Sequence, residues 1–126
     1  MKRSLFLTIM AVIPAFFGFM FFLSPESMLG KYGFTLDAGM KIMGYSVGSM
    51  LIATGLLNFL SRNATLEAVR PVLITNIAIQ ALTGGTDLYG TVTGAMNSQG
   101  YGAVVMHGVF LCAFLYYLIL DKAVAS

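Results

Sequence analysis

Charged residues are scarce in this sequence: Asp, Glu, Lys and Arg together make up 10% of its 126 residues. Soluble globular domains carry about 25% charged residues, so this chain has too little polar surface to cover a water-soluble globule. Hydrophobic residues make up 58% of the chain, and the mean hydropathy is +0.85. This composition predicts an integral membrane protein whose surroundings are the lipid bilayer.

Other scarce features exclude several classes of protein. The one cysteine, Cys112, cannot form an intrachain disulfide, which excludes a secreted disulfide scaffold. The net charge of +2 is far too small for a nucleic-acid-binding surface. A single histidine, His107, without a Cys-x-x-Cys-His motif predicts neither a metal cluster nor a pair of axial haem ligands within one chain. A buried, hydrogen-bonded histidine is favoured, and a haem shared between subunits or one histidine-ligated pigment is the alternative. No catalytic set of residues is recognisable, so an enzyme is the less favoured class.

Four apolar stretches are long enough to cross a bilayer, which takes roughly 20 residues each. They cover residues 4–23, 40–60, 71–90 and 103–120. Pro71 is predicted to open the third helix, because a proline at the first helical position loses no hydrogen bond. A short helix is expected around 26–31, within the first connection. The predicted fold is therefore all-α: a single polytopic domain, residues 1–126, built as a four-transmembrane-helix bundle.

The positions of Lys and Arg predict the orientation, because short loops rich in these residues stay in the cytoplasm. If the N-terminus is inside, five basic residues lie on the cytoplasmic side: Lys2, Arg3, Arg62, Arg70 and Lys122. Only Lys31 and Lys41 then lie outside. Both termini are therefore expected in the cytoplasm, with the 91–102 loop on the outer side.

A stripe of glycines marks one face of the second span. Gly44, Gly48 and Gly55 are four and seven residues apart, which keeps them on one side of a helix. Because lipid provides no hydrophobic force between helices, close backbone contact at such positions supplies the packing. These glycines are expected to contact the backbone of another helix, in the same chain by preference or in a second copy.

A polar stripe marks the third span. Its members are Asn76, Gln80, Thr83 and Asp87. Polar side chains are costly against acyl chains, so the stripe should face the bundle interior, a partner or water. The simplest arrangement packs it against the glycine stripe, where the amides hold the helices together; a lining for a polar ligand is the alternative. The neighbouring Gly84-Gly85 pair either permits close packing or breaks the helix.

Asp87 and His107 are predicted to be neighbours. Counting 1.5 Å per residue from the cytoplasmic ends of their helices places them at about 24 Å and about 21 Å, and helices joined by a short loop usually pack antiparallel. A carboxylate in hydrocarbon needs a partner, which histidine can supply. Pairing of Asp87 with Lys41, or exposure of Asp87 to water, is the alternative. Closing the outer end of the bundle is favoured over proton transfer.

Phenylalanines are concentrated toward the outer end of the first span, at positions 16, 17, 19, 21 and 22. Lipid-facing side chains are the favoured interpretation. The alternatives are a grip on a lipid tail, a quinone or a carotenoid pigment, and docking against a larger membrane partner. No cofactor is predicted from this feature.

The order of these features resembles the DoxX-like group of small four-helix bacterial inner-membrane proteins. The resemblance spans nearly the whole chain and rests on Leu23-Ser24-Pro25-Glu26, on Met43-Gly44-Tyr45-Ser46-Val47-Gly48 and on Gly84-Gly85-Thr86-Asp87. It implies a four-helix fold in the bacterial cytoplasmic membrane more than it implies an activity.

Two classes of function fit the sequence. The favoured class is a non-enzymatic accessory or assembly subunit of a larger membrane complex, or a homo-oligomer. The alternative is a binder or carrier of a quinone, a lipid-like molecule or a proton that uses Asp87 and His107.

Overall fold

The computed structural model describes the backbone of residues 2–125 and the side chains of residues 2–119. All regular structure in this part of the chain is helical, which confirms the all-α prediction. The helices are α1 (Arg3–Leu23), α2 (Pro25–Gly30), α3 (Ala38–Ser61), α4 (Leu66–Val92) and α5 (Gly100–Ala125). They form two compact units, Met1–Ala64 with α1 to α3 and Thr65–Ser126 with α4 and α5. The side chain of Lys122, used to predict the orientation, lies outside the described residues.

Three of the described helices are long and apolar enough to cross a membrane: α1, α3 and the Gly100–Ile119 part of α5. This finding supports the prediction of a membrane protein. The predicted third span, 71–90, lies within α4, which is 27 residues long but less hydrophobic than the other three long helices. Its polar stripe accounts for this difference.

The start of α4 differs from the prediction. The helix begins at Leu66, and the hydroxyl of Thr65 accepts a hydrogen bond from the Ala68 N–H, as an N-cap residue does. Glu67 in the first turn adds a favourable interaction with the helix dipole. The prediction that Pro71 opens the helix was therefore wrong. Pro71 lies inside the helix, where it cannot donate to the carbonyl of Glu67.

In the first unit, α1 and α3 are in backbone contact. A Cβ atom added to Gly48 would lie 2.8 Å from the carbonyl oxygen of Gly18, and one added to Gly55 would lie 2.6 Å from the carbonyl oxygen of Ala11. Both distances are shorter than real Cβ contacts. Only glycine therefore fits at these two positions of α3.

The partner of the glycine stripe is α1, and the predicted packing against the polar stripe of the third span was wrong. Small residues of α1 provide the matching surface: Ala11, Ala15 and Gly18 all approach the glycines of α3. Two backbones touch only where both helices carry small side chains, and Asn or Gln side chains would hold them apart. Gly44 differs from the other two glycines, because its nearest neighbour is the side chain of Pro25 in α2.

Asn58 of α3 supplies a hydrogen bond to α1 that Pro14 cannot make. Pro14 lies inside α1 and has no N–H, so the carbonyl of Met10 lacks its usual helical donor. The amide Nδ2 of Asn58 donates to that carbonyl at 2.9 Å, and the side chain is fully buried. A neighbouring helix thus satisfies the backbone group that the proline frees, which is how prolines are tolerated in membrane helices.

Candidate polar site between the last two helices

The second unit is an antiparallel pair of helices, in which Thr91 of α4 lies near Gly100 of α5 and Gln80 lies near His107. The buried and half-buried residues of α4 along this contact are three or four positions apart: Leu73, Asn76, Gln80, Gly84, Asp87 and Thr91. On α5 they include Ala103, His107, Phe114 and Tyr117. Such spacing produces a continuous seam between two helices, and Asp87, Thr91 and His107 lie in its half nearer the α4–α5 connection.

His107 lies between two oxygen atoms of α4. Its Nδ1 is 2.6 Å from Oε1 of Gln80, and its Nε2 is 3.4 Å from Oδ2 of Asp87. The His107 and Asp87 side chains are 16% and 18% exposed, respectively. The predicted contact between Asp87 and His107 is therefore present in the structure.

The alternative partner for Asp87, Lys41, has a different acid beside it. In the first unit, Nζ of Lys41 is 2.6 Å from Oε1 of Glu26. The hydrogen bond from Lys41 lowers the pKa of the Glu26 carboxyl below its usual range. The two side chains are 42% and 54% exposed, and ion pairs with this much contact with solvent contribute little to stability.

Gly84 allows the imidazole to approach α4. A Cβ atom at Gly84 would lie 3.1 Å from the Cβ of His107, whereas one at Gly85 would have no neighbour within 4 Å. The helix continues without a break from Leu66 to Val92, so the alternative that Gly84-Gly85 breaks it was wrong. Gly84 was not predicted as a site residue, although its spacing of four from Gln80 and three from Asp87 places it on the same face.

Two members of the predicted polar stripe are not part of this contact with His107. Thr83 is exposed, so the expectation that all four residues face inward was wrong for this one. The seam passes through Gly84 instead, one residue further along. Asn76 is buried and donates from Nδ2 to the carbonyl of Val72 in its own helix, at 2.9 Å. The residues gathered around the imidazole are thus Gln80, Gly84 and Asp87.

The hydrogen positions of the site follow from its acceptors. With Oε1 of Gln80 as the acceptor, Nδ1 of His107 carries a hydrogen. A second proton, when one is bound, lies either on Nε2, which gives an imidazolium beside a carboxylate, or on Asp87, which gives two neutral groups. Both forms have a net charge of zero. Among the described residues, no group of three His, Cys, Asp or Glu side chains could hold a metal ion.

Comparisons of the chain with protein-family models, curated proteins and solved structures find no match. A function for this protein is therefore inferred from the geometry of its helices and of the polar site between α4 and α5.

A leucine at Gly84 is expected to push His107 away from α4, because its Cβ would occupy space beside the Cβ of His107. We expect Gly84→Leu to lower the free energy of unfolding by about 1 to 2 kcal/mol, as overpacking of a closed contact does. The measurement is reversible unfolding in mild detergent, followed by circular dichroism. Gly85→Leu is the matched control and should cause no loss. Equal stability of the two variants would contradict the assignment of Gly84 to the seam.

Proposed function

We propose that this protein is a non-enzymatic, multi-pass subunit of the bacterial cytoplasmic membrane. In this proposal it works by associating with other membrane proteins or with further copies of itself. The observation that carries the proposal is that α3 buries its small residues and exposes most of its large apolar ones.

The buried residues of α3 are three glycines and one asparagine, Gly44, Gly48, Gly55 and Asn58. Most of its large apolar side chains are exposed instead, with Met50 at 70% and Leu60 at 68%. A helix in water would bury such residues. Packing through small residues, with large apolar ones turned outward, is what a bilayer favours. Lipid or the apolar surface of another membrane protein is therefore the fitting environment for α3.

The proposal adds α4 to the three candidate membrane spans α1, α3 and α5, and it places both termini in the cytoplasm. The start of α1 and the end of α3 lie together, because Nη2 of Arg3 donates to the carbonyl of Ala64 at 2.6 Å. Lys2, Arg3 and Arg62 thus belong to one end of the first unit, and Lys31 and Lys41 to the other. The larger number of basic residues at the end with Lys2, Arg3 and Arg62 favours a cytoplasmic location for that end. The resemblance to the DoxX-like group agrees with the same four-helix arrangement.

Association within the membrane is favoured because little of the described chain lies outside the helices. The connections after α3 and α4 cover only residues 62–65 and 93–99. The surface available to a partner therefore consists mainly of the exposed apolar faces of the helices. These faces include the aromatic side chains of Phe16 and Phe19 on α1.

Site-specific photocrosslinking in native membranes, followed by native mass spectrometry, tests the association. A photoreactive residue at Met50, which is exposed, should crosslink to another protein or to a second copy of the chain. The same residue at Leu73, which is fully buried, is the control and should give no such product. Gently extracted protein should have a mass well above the 13.5 kDa of one chain. Crosslinks to lipid alone together with a monomeric mass would contradict the proposal.

A second candidate function is favoured by the contact of His107 with Gln80 and Asp87. Ionisable residues inside membrane segments are uncommon and are associated with ligand and proton pathways. We propose as the alternative that the protein binds or carries a proton, a quinone or a lipid-like molecule at this contact. Retention of a small molecule by a chain without protein partners would favour it over the first candidate.

A further inference from the structure

The imidazole of His107 lies between an amide oxygen and a carboxylate oxygen, and these two neighbours have different chemical roles. Oε1 of Gln80 lies 2.6 Å from Nδ1, and because an amide oxygen can only accept a hydrogen bond, this contact favours the tautomer of the neutral ring with its hydrogen on Nδ1. Nε2 is then left with its lone pair toward Oδ2 of Asp87, 3.4 Å away. A neutral histidine carries one ring hydrogen, so Nε2 is the nitrogen that remains able to gain a proton.

We propose that Asp87 and His107 form a binding site for one proton, which is held between Nε2 and Oδ2, while Gln80 keeps the ring hydrogen on Nδ1. The inference rests on the second candidate function and makes it specific, because it names the ligand and the atoms that hold it. Asp87 and His107 bind the proton, and Gln80 is a positioning residue.

Charge explains why the site takes a single proton. Without it, the carboxylate leaves the site with a net charge of −1, and with two protons the imidazolium leaves it at +1. Either charge in or near hydrocarbon is costly without a partner. The form with one proton is neutral, so the pair of residues is most favourable when one proton is bound.

Among the described side chains of the second unit, the other titratable residues are far from the site or outside the seam. Glu67 and Arg70 precede Asp87 by 20 and 17 residues, which corresponds to about 25 to 30 Å along α4. Tyr89, Tyr101, Cys112 and Tyr116 are exposed. Tyr117 is buried in the seam, but it lies about 15 Å along α5 from His107. Asp87 is therefore the charged group of α4 that faces the imidazole.

The proton can reach the site without separation of α4 and α5. Both side chains keep some exposed surface. Asp87 lies five residues before the end of α4 at Val92, or about 7.5 Å along the helix axis. The site is thus close to the connection between the two helices.

The sole histidine makes the proposal directly measurable. In protein labelled with ¹⁵N in the histidine ring, the ring signals of His107 report which nitrogens carry hydrogen. We expect Nδ1 to be protonated at pH 8 and Nε2 to gain a proton as the pH is lowered to 5. A wild-type ring with a bare Nδ1 at pH 8 would overturn the proposal without any variant.

Two variants separate the roles of the neighbours. In Gln80→Leu, the hydrogen should move from Nδ1 to Nε2, because Asp87 is then the remaining acceptor. In Asp87→Asn, Nδ1 should keep its hydrogen and the protonation of Nε2 between pH 8 and 5 should be lost. Glu67→Gln, an exposed change elsewhere on α4, is the control and should leave every signal as in the wild type.

Unchanged ring signals in Gln80→Leu, or an unchanged pH response in Asp87→Asn, would contradict the proposal. Helical circular dichroism shows whether each variant is folded, and the wild-type measurement remains decisive if one of them is not. The result is independent of the crosslinking experiment. A monomeric protein with the expected ring signals would support this site and contradict the association proposed first.

Discussion

Replacing Gly48 with leucine is expected to separate α1 from α3 and to lower the free energy of unfolding by about 3 kcal/mol. The new side chain would begin 2.8 Å from the carbonyl oxygen of Gly18 and 3.0 Å from the Cβ of Phe21. Because the first of these atoms belongs to the backbone, a change of rotamer cannot relieve the collision. The two helices must move apart, and the neighbouring contact of Gly55 with Ala11 would be lost as well.

Gly85→Leu is the matched control for this experiment, since a Cβ at Gly85 has open space around it. Gly85→Leu and Gly48→Leu change helix propensity equally, because each removes a glycine from a helix, which is favourable by up to about 1 kcal/mol. Reversible unfolding in one detergent at several denaturant concentrations gives both free energies. If Gly48→Leu and Gly85→Leu have the same free energy of unfolding, the backbones of α1 and α3 do not touch.

Asn58→Leu is expected to cost about 2 kcal/mol, because it leaves the carbonyl of Met10 buried without a donor. The size of the loss should depend on Pro14, whose missing N–H creates the need for that donor. In a Pro14→Ala background, the new N–H can bond to the Met10 carbonyl. The same Asn58→Leu change should then cost about 1 kcal/mol less than in the wild type.

A double-mutant cycle over the four proteins measures this coupling. Thr54→Val serves as the control, because Thr54 lies one turn before Asn58 and its hydroxyl donates to the carbonyl of Met50 in its own helix. Its effect should be the same with and without Pro14. If the cost of Asn58→Leu is also independent of Pro14, the amide does not substitute for the proline N–H.

Local sequence patterns predicted the helices well but not the partner of α3. Hydrophobic length placed the four long helices, and the short helix expected around 26–31 is present as α2, Pro25–Gly30. The predicted start of α4 is wrong because a proline is compatible with the interior of this helix as well as with its first position, and Thr65 provides the cap. The predicted partner of Gly48 is wrong because small residues of α1, such as Ala11 and Gly18, provide the matching surface, and the glycine spacing within α3 does not indicate which helix carries that surface.

The candidate site was predictable in part. Depth along two antiparallel helices was sufficient to bring Asp87 and His107 together, because this estimate depends only on helix rise and loop length. Residue spacing did not show that Gly84 faces His107 while Thr83 faces away, although these adjacent residues differ by about 100° around the helix axis. The link between Pro14 and Asn58 joins residues 44 positions apart. Sequence spacing within one helix contains no information about such a contact.

Accessibility of single cysteines on the two sides of the membrane tests most directly whether α4 crosses it. Asn63 precedes α4 and Ser98 follows it, and both residues are exposed. In a Cys112→Ala background, which removes the only native cysteine, Asn63→Cys should react from the cytoplasmic side and Ser98→Cys from the outer side. Reaction of both cysteines from the same side would show that α4 does not span the membrane and would contradict the proposed four-span arrangement.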